Sequence, residues 1–111
     1  FVGYVAPPLD GVWATAPYLH NGSVPTLAAL LDSKARPSWW KRQDFDSTHY
    51  DQTALGWPFL VPPYGQDGAP VSERKYIYDT SKPGHSNTGH TFGDALDEAE
   101  RAAVLEYIKT L

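Results

Sequence analysis

The sequence predicts a loop-rich fold in which the clear regular elements are helices, and three observations carry that prediction. Ten prolines and nine glycines in 111 residues repeatedly interrupt regular hydrogen bonding. Aromatic residues make up 14% of the chain, enough to pack irregular segments around few elements. Only two stretches pair a helical repeat of apolar residues with a start signal.

The last stretch is the clearer one. Asp97 and Glu100 have capping-box spacing, and Val104, Leu105, Ile108 and Leu111 recur on one face, which predicts a helix over about 97–110. At about 1.5 Å per residue it would be roughly 20 Å long. The other helix is short, near 26–33, with Ser23 or Thr26 as cap and Leu27, Leu30 and Leu31 as its buried face. Before it, Pro7, Pro8, Pro17 and Pro25 bias the chain toward extended loop, with a helical turn near Asp10–Ala16 and a tight turn at Asn21-Gly22. Lys34–Pro70 reads as irregular, rich in aromatics from Trp39 to Tyr64, and Val61–Gly68 as an exposed loop. Short strands fit around Lys41–Phe45 and Tyr76–Tyr78, on weak periodicity.

Length and charge narrow the function. A chain of 111 residues fits one domain. Net charge is −4 and the nine Lys and Arg are scattered, which argues against a nucleic-acid or anionic-membrane surface. No run of 18 apolar residues exists to span a bilayer, and no charged-then-apolar leader opens the chain. The absence of methionine leads us to expect a processed product, an excised domain or a fragment. With no cysteine, these residues hold no disulfide, no thiolate metal site and no thioether link to haem. Ordering such a chain costs on the order of 100 kcal/mol of conformational entropy, and two helices bury little. The middle aromatics, a further chain segment or a large apolar cofactor must therefore contribute.

Four histidines are the candidate chemistry: His20, His49, His85 and His90. His85 and His90 lie five apart in a glycine-rich loop, a poor match to the close pairs of zinc sites. Such a loop suits a single axial ligand better, because glycines let backbone approach a flat macrocycle while one imidazole reaches its iron. On spacing alone, a surface-turn role for His90 is favoured, as is a structural role for His20, bonded to backbone carbonyls of the Asn21-Gly22 turn. His49, among Ser47, Thr48 and Asp51, reads as solvent-exposed. No nucleophile triad or carboxylate pair stands out, since the acids gather on the terminal helix. Asn21-Gly22-Ser23 matches a glycosylation acceptor, a pattern too common to carry weight.

Three blocks carry a family resemblance: Ala6–Leu27 (APPLDGVWATAPYLHNGSVPTL), Tyr78–Gly93 (YDTSKPGHSNTGHTFG) and Leu105–Leu111 (LEYIKTL). The first two resemble the C-terminal part of the bacterial dihaem cytochrome c peroxidase superfamily, in particular the branch that includes the rubber oxygenase type. The third is similar to the terminal helix of many c-type cytochromes. Ser33–Arg74 matches only loosely.

The resemblance implies a mainly α, loop-rich, partial cytochrome c-like haem domain, with residues 1–111 as a single C-terminal portion of it. It implies export to the periplasm, a redox partner protein, and electron transfer or peroxide or oxygen chemistry. In such proteins a Cys-x-x-Cys-His motif upstream holds haem c and supplies the proximal histidine, and the C-terminal region supplies the opposite ligand, often methionine. This chain has no methionine, so the resemblance makes His90 the metal ligand. It places His20 in the haem pocket or against a propionate, with Trp13 and Tyr18 beside it. The Cys-x-x-Cys-His motif is absent, so haem would be attached outside this segment. Its holder would be a cysteine-bearing upstream segment first, a partner chain second, and a haem-free remnant is the third case.

A bis-histidine iron has no open position and suits electron transfer, leaving catalysis to another haem. An alternative class is a non-redox binding module in which Trp39, Trp40, Trp57 and Tyr64 form an aromatic platform for a carbohydrate or polymer. A third is a subunit that holds a cytochrome together through its terminal helix.

Overall fold

Around its paired tryptophans the chain does not stay irregular. In the computed structural model, which describes residues 2–111, Trp39–Arg42 is a strand (β1) at the centre of a three-stranded antiparallel sheet. Its neighbours are Phe59–Leu60 (β2) and Tyr78–Asp79 (β3), with Arg42 opposite Phe59 and Trp40 opposite Tyr78. Cross-strand aromatic contact holds this sheet together. The Trp40 ring stacks on Tyr78 at 5.8 Å and meets Phe59 edge-on at 6.3 Å, and its indole N–H donates to the Ser23 carbonyl at 3.0 Å.

This sheet corrects the expectation of a mainly α fold. The α-helices among the described residues are one of 5 residues and one of 11, and short 3-10 turns account for the remaining helical backbone. Strands of two to four residues are too short to show an alternating pattern, and their partners lie far along the chain. The strand expected at Lys41–Phe45 ends at Arg42, because the Asp44 and Asp46 carboxylates capture the amides of Asp46 and Thr48, each at 2.9 Å, and turn the chain. The strand expected at Tyr76–Tyr78 begins only at Tyr78, since Arg74–Tyr76 is a 3-10 turn.

The first helix, α1 (Leu27–Leu31), starts where Thr26 accepts a hydrogen bond from the Ala29 amide at 3.1 Å. It stops short of the expected residue 33 because Asp32 takes up extended backbone and caps a new turn, Ser33–Ala35, through the Lys34 amide. Leu27 and Ala29 join Tyr18, Val24 and Leu55 in the main core, where Val24 is fully buried. Burying one such aliphatic side chain stabilises the fold by about 1.5–3 kcal/mol.

The second helix, α2 (Glu98–Ile108), begins with the expected capping box. Asp97 accepts from the Glu100 amide at 2.8 Å and Glu100 accepts from the Asp97 amide at 3.0 Å. Leu105 and Ile108 pack on the main core, yet no residue of α2 is buried. Its C-terminal end is joined to the start of the chain, where Gly11 N–H and Trp13 Nε1 both donate to the Leu111 carbonyl, at 3.2 and 3.3 Å. Among the described residues, no helix is long and apolar enough to cross a membrane.

Candidate functional site

Two segments carry His20, His85 and His90, and the Asn21 side chain joins them. In the first, Tyr18 and Val24 exchange backbone hydrogen bonds at 2.7 and 3.3 Å, closing a turn whose tip is His20. Leu19 sits in the left-handed region at φ 66°, which costs a residue with a Cβ about 1 kcal/mol or more. His20 is exposed and its ring stacks on Tyr4, 4.2 Å between centroids and 17° between planes. Tyr18 turns the other way, into the core, where its hydroxyl donates to the Val12 carbonyl at 2.7 Å. Burial raises the Tyr18 pKa beyond the ordinary tyrosine range, so the hydroxyl stays protonated and acts as a donor. Trp13 is 40% exposed and is tied to Leu111, away from the tip.

Among the described residues no hydrogen bond joins the His20 ring to the Asn21-Gly22 turn, and the Asn21 carbonyl serves another group. Asn21 accepts from the Ser23 amide at 3.1 Å, and its own carbonyl accepts from the Tyr78 hydroxyl at 2.8 Å. The Asn21 side-chain amide then reaches across to the second segment and donates to the carbonyls of Gly84 and Ser86, at 3.1 and 2.8 Å.

That second segment, residues 84–92, has no buried side chain. Polar contacts from below fix it. Asn87 donates to the Pro37 carbonyl at 2.9 Å, and the Arg36 guanidinium donates to the carbonyls of Asn87, Gly89 and His90 at 2.7, 2.6 and 2.8 Å. Arg36 spends its two other N–H directions on the end of α1, at the carbonyls of Ala29 and Leu30. It is 9% exposed, and burial lowers its pKa while the nearby Asp94 carboxylate opposes that shift. Just beyond the loop, Gly93 lies against the Leu31 backbone with no room for a Cβ, and Asp94 accepts from Ser33 N–H at 2.8 Å and Ser33 Oγ at 2.6 Å.

His90 occupies the exposed end of this arrangement. Its φ is 53°, its carbonyl turns inward to Arg36, and its side chain is exposed. Among the described residues, neither ring nitrogen has a hydrogen-bond partner, whereas His85 Nδ1 lies 2.9 Å from the Pro83 carbonyl and His49 Nδ1 2.8 Å from Asp44 Oδ2. Phe92, 85% exposed, is the aromatic neighbour of His90 at 6.5 Å. No three His, Cys, Asp or Glu side chains converge to hold a metal ion among the described residues. A hollow of about 660 Å³ between α1, β2 and α2 is lined by neither His20 nor His90.

The four aromatics of the platform reading do not share one exposed face. Trp40 is buried, Trp39 and Trp57 give their indole N–H groups to the carbonyls of Pro62 and Ala16, and Trp57 lies under Arg42 at 3.7 Å. Arg36 is the residue the sequence reading missed. A lone arginine before a proline looks like a surface cation, and the one local cue is that Pro37 forces it into extended backbone.

Comparison with known proteins bears on the first segment. Residues 3–41 match the family model described as RoxA-like, cytochrome c-like. The RoxA-like match takes in Trp13, Tyr18, His20 and Arg36, and His90 lies outside it. A cytochrome c-like match points to a haem-binding electron-transfer module. Two relatives come from Sinorhizobium fredii (strain NBRC 101917 / NGR234). The uncharacterized protein y4iJ is 41% identical over 123 positions covering 99% of this chain, and the uncharacterized protein y4iM is 48% identical over 88 positions covering 79% of it. The matched region spans 18% of the first relative and 19% of the second, under a fifth of each.

Proposed function

We propose that this chain is a haem-contacting portion of an exported c-type cytochrome and supplies His90 as an axial ligand to an iron whose porphyrin is attached outside these residues. The observation that carries the reading is the His90 imidazole: exposed, free of hydrogen bonds among the described residues, and presented by a loop whose backbone is clamped. The cytochrome c-like match over residues 3–41 supports the same class of cofactor.

The donor set fits such a group on one side only. His90 offers an imidazole nitrogen, Phe92 offers apolar surface next to it, and the glycines at 84 and 89 have open space where a Cβ would stand. His20, at the tip of the neighbouring turn, is suited to a polar or propionate contact, with Tyr4 covering one face of its ring. Tyr18 and Trp13 act further back, the first by fixing the turn from the core and the second by tying the preceding residues 12–14 to the C-terminus. Bound haem would supply one-electron exchange at its iron. The part of this chain is to hold an imidazole still, so that little reorganisation accompanies the change of charge. A cysteine-bearing segment or partner chain would carry the attachment motif, and a redox partner protein would take the electron.

The test is the His90→Ala substitution in the haem-loaded protein, read by absorption in the oxidised and dithionite-reduced forms. Loss of the low-spin six-coordinate pattern is expected. An unchanged spectrum removes His90 from the ligand set.

A further inference from the structure

We infer that Arg36 is the positioning residue of the His90 loop, so that one buried cation sets where the imidazole stands; the haem part of this inference rests on the function proposed above. The argument is one of supply and demand for hydrogen bonds. A guanidinium has five N–H donors and no acceptor. Arg36 directs Nε to the Ala29 carbonyl at 3.3 Å, one terminal nitrogen to Asn87 and Gly89 at 2.7 and 2.6 Å, and the other to Leu30 and His90, both at 2.8 Å. All five directions are used. Two of them go to carbonyls at the C-terminal end of α1, those of Leu30 and of Ala29, which also accepts from the Asp32 amide, and three capture the loop.

Those three contacts carry more weight than hydrogen bonds usually do, because the loop has no other deep anchor. From Gly84 to Phe92 no side chain is buried. Its other ties include the Asn21 amide at Gly84 and Ser86, the Asn87 amide on Pro37, the ring contact of His85 with Tyr78 and backbone bonds at His85 and Thr91, and none of these touches Gly89 or His90. The left-handed backbone of His90 is unfavourable for a residue with a Cβ, and capture of its carbonyl holds it there. With the carbonyl turned inward, the imidazole is left outward. Lysine cannot reproduce this: its three donors radiate from one point, while the planar fork of arginine reaches five carbonyls from two elements.

Two readouts on four proteins, the natural one, Arg36→Gln, Arg36→Lys and His90→Ala, test the inference. The first is amide hydrogen exchange, which needs no haem. Arg36→Gln should speed exchange of the Thr88 and Asp94 amides, which are hydrogen-bonded within and just beyond the loop, by about tenfold while residues 98–108 keep their protection, as expected for loss of a charged hydrogen-bond cluster acting locally. His90→Ala should leave the loop protected, because the backbone carbonyl that Arg36 grips is still there. The second readout is added imidazole on the ferric haem-loaded protein. The natural protein should show no spectral change, His90→Ala and Arg36→Gln should bind imidazole, and Arg36→Lys should fall between.

If exchange rises in Arg36→Gln while His90→Ala leaves the haem spectrum unchanged, the loop-positioning role of Arg36 stands and the ligand reading of His90 fails. If Arg36→Gln keeps the loop protected and excludes imidazole like the natural protein, Arg36 does not position His90. If protection falls equally over residues 98–108 and folded protein still excludes imidazole, Arg36 is a general structural residue and the inference is overturned. Should Arg36→Gln not fold, Arg36→Lys decides by the same two readouts.

Discussion

His20 and His90 lie on two segments that solve the same problem by different physics. Each is exposed, and left-handed backbone lies at or next to it, at Leu19 in one case and at His90 itself in the other. The His20 turn grows directly out of the core: Tyr18 and Val24 are buried on either side of it and bonded to each other. The His90 loop buries no side chain and is held from beneath by Arg36, Asn21 and Asn87. Apolar burial is non-directional and tolerates small shifts, whereas a set of buried hydrogen bonds either forms or leaves costly unpaired groups. The first segment should therefore lose order gradually with global stability, and the second should fail locally and at a few positions.

Substitution in α1 should act on both segments at once, because α1 lies between them. Leu27 is 3% exposed and packs with Tyr18 and Val24, while the carbonyls of Ala29 and Leu30 two and three residues on receive Arg36. Leu27→Ala should lower global stability by about 3 kcal/mol through lost burial and a residual cavity, measured by urea denaturation. A cost under about 1 kcal/mol would mean that the two segments do not share this support. A more selective change is Gly93→Ala. The added methyl would run into the Leu31 carbonyl and Cα, backbone atoms that cannot swing aside. We expect a loss of about 2 kcal/mol from overpacking. Hydrogen exchange should rise over residues 87–95, while the Tyr18–Val24 bridge stays protected. Equal loosening of both would erase the contrast between them.

The same contrast explains what could be read in the sequence. The α2 helix was legible because Asp97, Glu100 and the spacing of Leu105 and Ile108 are local signals, and local signals survive folding. The short helix was legible in type but not in length, since the capacity of Asp32 to cap a second turn is seen only in its hydrogen bond to Lys34. The sheet was not legible: Trp40 and Tyr78 pair across 38 positions of sequence, and two-residue strands carry no period. The exposed histidines could be singled out by residue type. Arg36 could not, because its five carbonyl partners come from α1 and from a loop more than 50 residues away, and nothing in its neighbours announces them.

The finest separation of the two segments should come from acid. Asp94 closes the far end of the loop by accepting from Ser33 Oγ and Ser33 N–H, and these bonds, with smaller help from Arg36 and Arg101, hold its pKa below the ordinary 3.8. A carboxylate with a depressed folded-state pKa adds stability that is complete above its unfolded value and is lost as pH falls through the folded one. The clasp should therefore be unaffected at neutral pH and open only below about pH 4. Because Asp94 is exposed, the effect on global stability should be small. It should appear instead in the Ser33 amide resonance and in exchange of residues 91–95, and Asp94→Asn should remove the pH dependence of both. The Tyr18–Val24 bridge has no carboxylate among its hydrogen-bond partners, so acid should release the His90 side first. Simultaneous release of the two would show that they unfold as one unit, and the polar clamp would then have no mechanical independence from the core.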